Sequence, residues 1–295
     1  MDFRLYPLRL TFRATERLVF PPGKAANVLR GALGMSLRDL ACDPGCSNAK
    51  TCSRAAACRY AQLFEPSAHL PGPSGLRDWP RPFVIRAAHL DGDRLVTGDQ
   101  FHLDVHLFRD DADSARILVK AFARLAANGF GPGEGKALLQ SVRLLHTASD
   151  WEPFVIDLRP TPHTGRIRVD FQTPTELKPL APGRDPDFAT LFARIRDRVS
   201  TLRACYGAGA LNIEFKAMGE IADGIKLIQC EIGNQEVVRR SSRTGQSHSI
   251  GGFTGHAEYE GDLGPFLPFL EAARWTGVGS KCVWGNGQIS VRRLG

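Results

Sequence analysis

A helix, a glycine-rich loop and a strand follow one another twice in this chain, and this repeat constrains the fold more than any other feature. The first copy spans residues 114–145 and carries four glycines directly ahead of Lys136. The second copy ends the chain and carries four glycines around Lys281, in the segment 277–287. Matching supersecondary units near the ends of two halves indicate a duplicated domain. The glycine spacing differs between the copies, so the repeat is one of architecture and only loosely one of sequence.

The residues around the two copies extend the repeat to two complete domains. In the first half, the apolar patterns predict strands and helices in the order β-α-β-β-α-β, which is the ferredoxin-like order. The second half opens on an alternating strand, continues with a helix that starts at Asp185-Pro186, and closes on the second copy of the repeat. We therefore predict an α+β fold of two tandem ferredoxin-like (RRM-like, βαββαβ) domains, at residues 1–150 and 165–295.

Charge and hydropathy limit the classes of partner. The chain has 295 residues, a net charge of +7 and a pI of about 9.2, and this balance favours a polyanion such as nucleic acid. No run of about 18 apolar residues occurs, so no membrane span is expected. The first twenty residues alternate and are charged, unlike a signal peptide. We therefore expect a cytoplasmic protein that has no membrane partner.

The two glycine-rich loops are candidate anion-binding sites. Glycine reaches positive φ at low cost, and backbone N–H groups made available next to a cationic side chain can cradle an anion. The alternative is a loop whose glycines serve packing alone. The residues that we predict to contact a polyanion through these loops are Lys136, Gly277, Gly279, Ser280, Lys281, Gly285 and Gly287.

A second group of candidate phosphate contacts lies in a polar segment that interrupts the strands of the second half. Arg239, Arg240 and Arg243 carry permanent positive charge, which suits the backbone of a nucleic acid. The alternative is a charged hairpin tip without a ligand.

Four of the seven cysteines fall within 17 residues, with the spacing C-x3-C-x5-C-x5-C. Four thiolates at this density could hold a tetrahedral zinc ion, and an iron–sulfur cluster uses the same ligand type. Reduced thiols without metal are the alternative. We predict a small finger at about residues 42–60, inserted in the N-terminal domain and stabilised by a structural metal. Its ligands would be Cys42, Cys46, Cys52 and Cys58.

Several motifs of the chain occur together in one known family. The C-terminal stretch Gly251–Leu294 contains Gly277-Val-Gly279-Ser-Lys281 and Gly285-Asn-Gly287, and the N-terminal stretch contains Leu29-Arg-Gly-Ala-Leu-Gly34, then the cysteines, then Tyr60-Ala-Gln-Leu-Phe64-Glu65. In these motifs the chain resembles the CRISPR RNA-processing endoribonucleases of the RAMP superfamily, the Cas six group. The resemblance implies two ferredoxin-like domains and binding of a CRISPR repeat transcript, often a stem-loop. It also implies one metal-independent cut and retention of the guide RNA, sometimes within an effector complex.

Metal-independent RNA cleavage of this kind uses the ribose 2′-OH as the nucleophile. It needs a base near that hydroxyl, cations around the phosphorane, and an acid for the leaving oxygen, and histidine suits both proton roles. Many family members place such a histidine at or just after the first helix, whereas the first histidine of this chain is His69. His69 and His248 are therefore candidates from elsewhere in the chain.

Arginine-centred chemistry is the alternative that we favour. Arg30 and Arg38 lie on the first predicted helix, and Tyr60 follows in sequence. Arginine stays protonated, so it suits charge stabilisation better than base catalysis. The predicted catalytic residues are therefore Arg30, Arg38, Tyr60 and His248, in a slow, single-turnover enzyme that needs no cofactor for the cut.

Two function classes follow from these observations. The first is an endoribonuclease that cuts CRISPR repeat precursor RNA and keeps the mature guide RNA bound, alone or with other effector subunits. The second is a noncatalytic subunit of the same superfamily that holds guide RNA in an effector complex, which the lack of an N-terminal histidine supports. A metal-finger interaction protein without RNA affinity is a third class, which the two glycine-rich loops disfavour.

Overall fold

The computed structural model describes residues 1–43, 45–46, 48–66, 78–130, 135–147, 151–181, 183–240 and 247–294, with the backbone alone at residues 239, 240 and 248. His69, Arg243 and the tip of the first glycine-rich loop (131–134) lie outside these residues. The chain divides into two compact units. The N-terminal unit comprises Arg4–Phe154 and Cys205–Gly207, and the C-terminal unit comprises Met1–Phe3, Val155–Ala204 and Ala208–Gly295.

The N-terminal unit places its main strands and helices in the order β-α-β-β-α-β. Its elements are β1 (Asp2–Ala14), β2 (Leu18–Val19), α1 (Ala25–Ala41), α2 (Arg59–Phe64), β3 (Phe83–Arg86), β4 (Arg94–Leu95), β5 (Gln100–Leu107), α3 (Ala112–Asn128) and β6 (Ala137–Leu144). The main strands pair antiparallel in the spatial order β3-β5-β1-β6. The first strand is therefore central in this sheet.

The helices of the N-terminal unit form because their apolar residues recur at helical spacing. In α1, Leu29, Leu33 and Leu37 are completely buried along one stripe. The Ser36 hydroxyl donates a 2.8 Å hydrogen bond to the Ala121 carbonyl of α3, which joins the two helices. The side chain of Asp111 caps α3 by accepting a 2.7 Å bond from the Ser114 amide. This packing fixes α1, which carries two of the predicted catalytic arginines.

The C-terminal unit repeats the same arrangement. After β7 (Phe154–Asp157) its elements are β8 (Arg166–Thr175), α4 (Phe188–Tyr206), α5 (Phe215–Asp223), β9 (Lys226–Gln235), β10 (Val238–Arg240), β11 (Ser247–Ser249), β12 (Gly252–Glu260), α6 (Leu267–Thr276) and β13 (Ile289–Arg293). The main strands pair antiparallel in the order β13-β8-β12-β9. In both sheets the first strand thus lies between the last and the third, as a duplicated α+β architecture requires.

An aromatic core holds the helices of the C-terminal unit on their sheet. Phe192 and Phe266 meet edge to face with ring centroids 4.6 Å apart, and Phe188 meets Tyr259 at 5.2 Å. The buried Tyr259 hydroxyl donates a 2.8 Å hydrogen bond to the Pro186 carbonyl, which satisfies its polar group. The core positions α6 and β13, and the second glycine-rich loop runs between them.

No helix in the described part of the chain is long and apolar enough to span a membrane.

Candidate functional site

The second glycine-rich loop turns back tightly against the end of β8. Gly279 and Gly287 have φ values of 77° and 67°, which L side chains rarely adopt. A Cβ at Gly279 would overlap the carbonyl oxygen of Glu176, and one at Gly287 would overlap that of Val278. The glycines therefore permit close contact between backbone segments of the protein itself.

The amides of this loop already donate hydrogen bonds within the protein. Val278 N donates to Gly287 O at 2.9 Å, Ser280 N to Glu176 O at 3.0 Å, and Gly287 N to Pro174 O at 3.0 Å. Gly277 N and Gly285 N also donate, to Ala273 O at 2.8 Å and to Cys282 O at 3.0 Å. These bonds close the turn against the sheet, which favours the packing alternative for the amides of Gly277, Ser280, Gly285 and Gly287. Contact of these residues and of Gly279 with RNA stays a prediction.

Lys281 also has a partner inside the protein. It adopts a left-handed backbone conformation with φ 65°, and its ammonium group lies 2.8 Å from a carboxylate oxygen of Glu176. Its side chain is 21% exposed and borders a cavity of about 640 Å³ in the C-terminal unit. We therefore assign Lys281 to closure of the loop, because its charge is already paired.

The first glycine-rich loop is described only at its ends. Gly129 N donates to Leu125 O at 2.9 Å, and Phe130 N donates to Gly135 O at 2.9 Å, so both amides are engaged. Lys136 lies 3.1 Å from Glu16, with both side chains 48% exposed. An ion pair this exposed contributes little to stability and exchanges readily, so phosphate contact by Lys136 stays a prediction.

The predicted basic segment of the C-terminal unit is a hairpin. Strands β10 and β11 pair antiparallel, with Arg239 opposite His248 and Arg240 opposite Ser247. The backbone register brings two predicted phosphate contacts and one predicted catalytic histidine onto the same hairpin. Phosphate contact at Arg239, Arg240 and Arg243, and catalysis by His248, stay predictions.

A cluster of aromatic and charged side chains forms in the N-terminal unit around the ring of Phe64; we call it the Phe64 cluster. It comprises Arg30 from α1, Tyr60 and Phe64 from α2, Glu65 directly after α2, and Arg81 just ahead of β3. The guanidinium carbons of Arg30 and Arg81 each lie 5.0 Å from the centroid of the Phe64 ring. Two cations therefore share one aromatic ring, an arrangement that cation–π attraction supports.

Helix α1 and helix α2 approach closely enough to build this cluster because Gly34 has no side chain. A Cβ at this position would overlap the Phe64 ring. The ring of Tyr60 stacks on that of Phe64, with centroids 5.6 Å apart and planes 22° from parallel. The contact between the helices therefore explains why glycine occupies position 34, although glycine weakens the helix locally.

Burial and charge set the protonation states in the Phe64 cluster. The Tyr60 hydroxyl donates a 2.9 Å hydrogen bond to Glu65. Burial raises the pKa of Tyr60, the Glu65 bond and charge raise it further, and the charge of Arg38 opposes them. Burial lowers the pKa of Arg81, and the charge of Glu65 opposes this effect. Tyr60 therefore keeps its proton at neutral pH and can donate a hydrogen bond.

The tertiary structure thus brings together some of the predicted catalytic residues. Arg30 and Tyr60 contact the same ring, and Arg38 acts electrostatically on Tyr60 while donating a hydrogen bond to the Cys46 carbonyl. Sequence reasoning missed Arg81. Its one signal is the Pro80-Arg81-Pro82 tripeptide, since flanking prolines hold an arginine in extended backbone ahead of a buried strand.

The cysteine-rich segment packs around a small apolar cluster. The sulfur atoms of Cys42 and Cys58 lie 3.9 Å apart, close to the edge of about 3.8 Å that a tetrahedron with 2.3 Å zinc–sulfur bonds has. Cys52 and Cys58 pack against Ala49, Ala55 and Ala61. Among the described residues, no group of three or more histidine, cysteine or acidic side chains has an arrangement that could hold a metal ion. Two of the four predicted ligands thus lie next to each other, and metal binding stays a prediction.

Comparison with known proteins places this architecture in a family. A model of the AF_1859 N-terminal domain matches residues 3–164, and a model of the CRISPR-associated endoribonuclease Cas6 matches residues 169–289. The strand order of the two units defines a duplicated α+β protein. More particularly, residues 169–289 belong to the Cas6 family of CRISPR-associated endoribonucleases.

Solved structures share the fold of the chain. A Cas6 product complex and a second structure of the same Thermus thermophilus Cas6 have TM-scores of 0.59 and 0.56 at 18% and 16% identity. Each match covers 99% of this chain, and the matches cover 100% and 99% of those chains. A partial Cas6-RT-Cas1–Cas2 complex has a TM-score of 0.59 at 13% identity, covering 99% of this chain and 46% of that one. No curated protein matches the chain at a significant level.

Proposed function

We propose that the protein cuts CRISPR repeat precursor RNA by attack of a ribose 2′-OH on the adjacent phosphate, without a catalytic metal ion. One observation carries the proposal: Arg30 and Tyr60, two of the residues predicted to be catalytic, contact the same buried ring of Phe64. Membership of the Cas6 family supports the reaction class. Two relatives of the same fold are product complexes, and another is a substrate mimic complex.

Two residues of the Phe64 cluster have a role in the reaction that their chemistry allows. Arg30 stabilises the negative charge that develops on the phosphorane, because a guanidinium stays protonated in a dry site. Tyr60, which keeps its proton, turns its one O–H from Glu65 to the leaving oxygen and donates a hydrogen bond or a proton there. Neither group takes up the proton of the attacking 2′-OH at neutral pH, so this proton passes to solvent water. We therefore infer a slow reaction in which the enzyme stabilises charge and turns over once.

The protein then keeps its product. We propose that Lys136 and the β10–β11 hairpin, through Arg239 and Arg240, hold the RNA backbone and that the guide RNA stays bound. We assign each unit to the ferredoxin-like fold on its strand order. The location is cytoplasmic, and other effector subunits are possible partners of the complex with guide RNA. This scheme rests on phosphate contacts, so affinity for the repeat stem-loop should fall steeply with salt.

The cysteine-rich segment at about residues 42–60 is, in this scheme, a structural finger. Cys42 and Cys58 have the spacing of two zinc ligands, and Cys46 and Cys52 would complete the set. A zinc ion bound there would hold the segment in shape and take no part in the cut. An iron–sulfur cluster would do the same with the same ligand type.

Purified protein incubated with repeat RNA in EDTA tests the reaction. A single cut that leaves a 2′,3′-cyclic phosphate supports the proposal, and a repeat with one 2′-deoxy nucleotide at the mapped position should stay intact. Tight binding of an intact ribose strand would instead support the noncatalytic subunit that holds guide RNA. Circular dichroism before and after EDTA controls for loss of a structural metal.

A further inference from the structure

Arg81 is a mostly enclosed cation with an unused hydrogen-bond donor. Its Nε atom is buried and has no hydrogen-bond partner among the described residues. The guanidinium packs against the Phe64 ring, 5.0 Å from its centroid. A ring face attracts a cation but accepts no hydrogen bond of ordinary strength, so the donor stays unsatisfied. Buried polar groups without partners are rare in native proteins and mark ligand or water sites.

Two carboxylates act on the charge of Arg81, those of Glu65 and Asp78. Glu65 acts more strongly, and it already accepts the hydrogen bond of Tyr60. Arg30 contacts the same ring as Arg81. A bound anion would add counter-charge beside Arg81, since a charge taken out of water needs a counter-charge.

The chemistry of the side chain and of its backbone specifies the anion. A guanidinium is a planar fork of donors that matches two oxygens of a phosphate group. Pro80 and Pro82 restrict the backbone on both sides of Arg81, and the Phe64 ring packs against the guanidinium. The side chain therefore needs little further ordering to bind.

We propose that Arg81 binds a phosphate group of the RNA, beside the position of Arg30 in the Phe64 cluster. The RNA part of this inference rests on the function proposed above. The anion-binding part does not, because inorganic phosphate tests it without RNA. Arg81 is then a substrate-binding residue that sequence motifs do not reveal.

The experiment compares the full-length wild type with Arg81→Met, Arg81→Lys and a matched control, Arg109→Met. Arg109 also packs on an aromatic ring of the N-terminal unit, 6.0 Å from the Tyr206 centroid, but its Nε donates a 2.8 Å hydrogen bond to Asp111. Repeat RNA affinity and its dependence on salt are measured for each variant. Arg81→Met should weaken binding about ten-fold or more and reduce the salt slope by about 0.7, one single-strand phosphate contact.

The other variants separate binding from folding. Arg81→Lys should lie between the wild type and Arg81→Met, because it keeps the charge and loses the fork. Arg109→Met should keep the wild-type affinity and slope. Without anions, Arg81→Met should melt no lower than the wild type, since methionine keeps the contact with Phe64 and removes a buried donor that has no hydrogen-bond partner. If Arg81→Met retains the wild-type affinity and salt slope, or only lowers the melting temperature, the proposal is overturned.

A second arm uses inorganic phosphate in place of RNA, at constant ionic strength set with potassium chloride. Phosphate should raise the melting temperature of the wild type and of Arg109→Met, and it should not raise that of Arg81→Met. Equal shifts in all three proteins would overturn anion binding at Arg81. If the wild type neither binds nor cuts repeat RNA, the proposed function fails, while this arm still decides the role of Arg81.

Discussion

The ammonium group of Lys281 lies 2.8 Å from a carboxylate oxygen of Glu176, so the cation in the C-terminal glycine-rich loop is paired within the protein. The Ser280 amide binds the carbonyl of the same glutamate at 3.0 Å. Glu176, directly after β8, thus receives both the charge and an amide of the loop. A motif with the composition of an anion cradle serves here to fasten the loop to the end of a strand.

Replacement of Lys281 should therefore affect folding more than RNA binding. Lys281→Met should lower the stability by about 1 kcal/mol, as expected for a partly exposed ion pair, and the melting temperature by a few degrees. RNA affinity should change less than about three-fold, because the charge is already engaged. Thermal melting and filter binding measure the two effects, with Lys136→Met as the exposed comparison. A large loss of affinity at unchanged melting temperature would restore Lys281 as an RNA contact.

Substitution of Gly279 should show that the loop is built by backbone contact. Gly279→Ala combines a positive φ with overlap on the Glu176 carbonyl, and we expect a loss of about 2–4 kcal/mol in urea unfolding. Gly209 has φ 91° and open space at its Cβ position, so Gly209→Ala should cost only about 1 kcal/mol. The difference between the two losses in unfolding free energy measures the effect of the close contact between residue 279 and the Glu176 carbonyl. Equal losses would mean that φ alone requires glycine at residue 279.

Removal of the Tyr60 hydroxyl should slow the proposed cut. Tyr60→Phe keeps the stacking on Phe64 and loses the donor, so the single-turnover rate should fall about 10–100-fold while RNA affinity changes little. The raised pKa of Tyr60 keeps the phenol protonated; the wild-type rate should therefore show no decline from its ionisation between about pH 6 and 9. Tyr6, a buried tyrosine of β1, provides the control variant Tyr6→Phe. A wild-type rate in Tyr60→Phe would exclude the hydroxyl from the reaction.

Arg30 should matter more for cleavage than for binding. Arg30→Met is expected to lower the single-turnover rate by about 100-fold, the loss typical of one group that stabilises transition-state charge, with a smaller change in the dissociation constant. Arg30→Lys should restore part of the rate, because it returns the charge. Proportionate losses of rate and affinity would show that Arg30 positions RNA without stabilising the transition state.

Metal content tests the cysteine finger. Protein purified without chelator should contain about one equivalent of zinc, or the iron of one iron–sulfur cluster. The variants Cys42→Ser and Cys58→Ser should lose the metal and have a lower melting temperature. Cys205 is a half-buried cysteine outside the segment, and Cys205→Ser should keep the metal and the wild-type melting temperature. Less than about half an equivalent of either metal by elemental analysis would count against the site and favour reduced thiols.

The repeat and the order of helices and strands could be predicted because they rest on local periodicity. Side chains alternate along a strand and recur every 3.6 residues in a helix, so the apolar pattern of α3 or of β8 is visible without knowledge of the fold. The matching helix–loop–strand units α3–β6 and α6–β13 follow from the same patterns. The strand β7 lies between the two predicted domains, and the strand β10 is short and polar; local patterns are weaker in such segments.

The partners of polar side chains could not be predicted in this way. Nothing in the local sequence states that Lys281 meets Glu176 or that Arg81 and Arg30 share the ring of Phe64, since these residues are far apart in the chain. Such pairs arise when packed elements bring distant segments within a few ångströms. Composition and periodicity therefore suffice for the architecture of the two units, whereas packing of the folded chain decides which cations have a carboxylate partner and which keep a buried donor without a hydrogen bond.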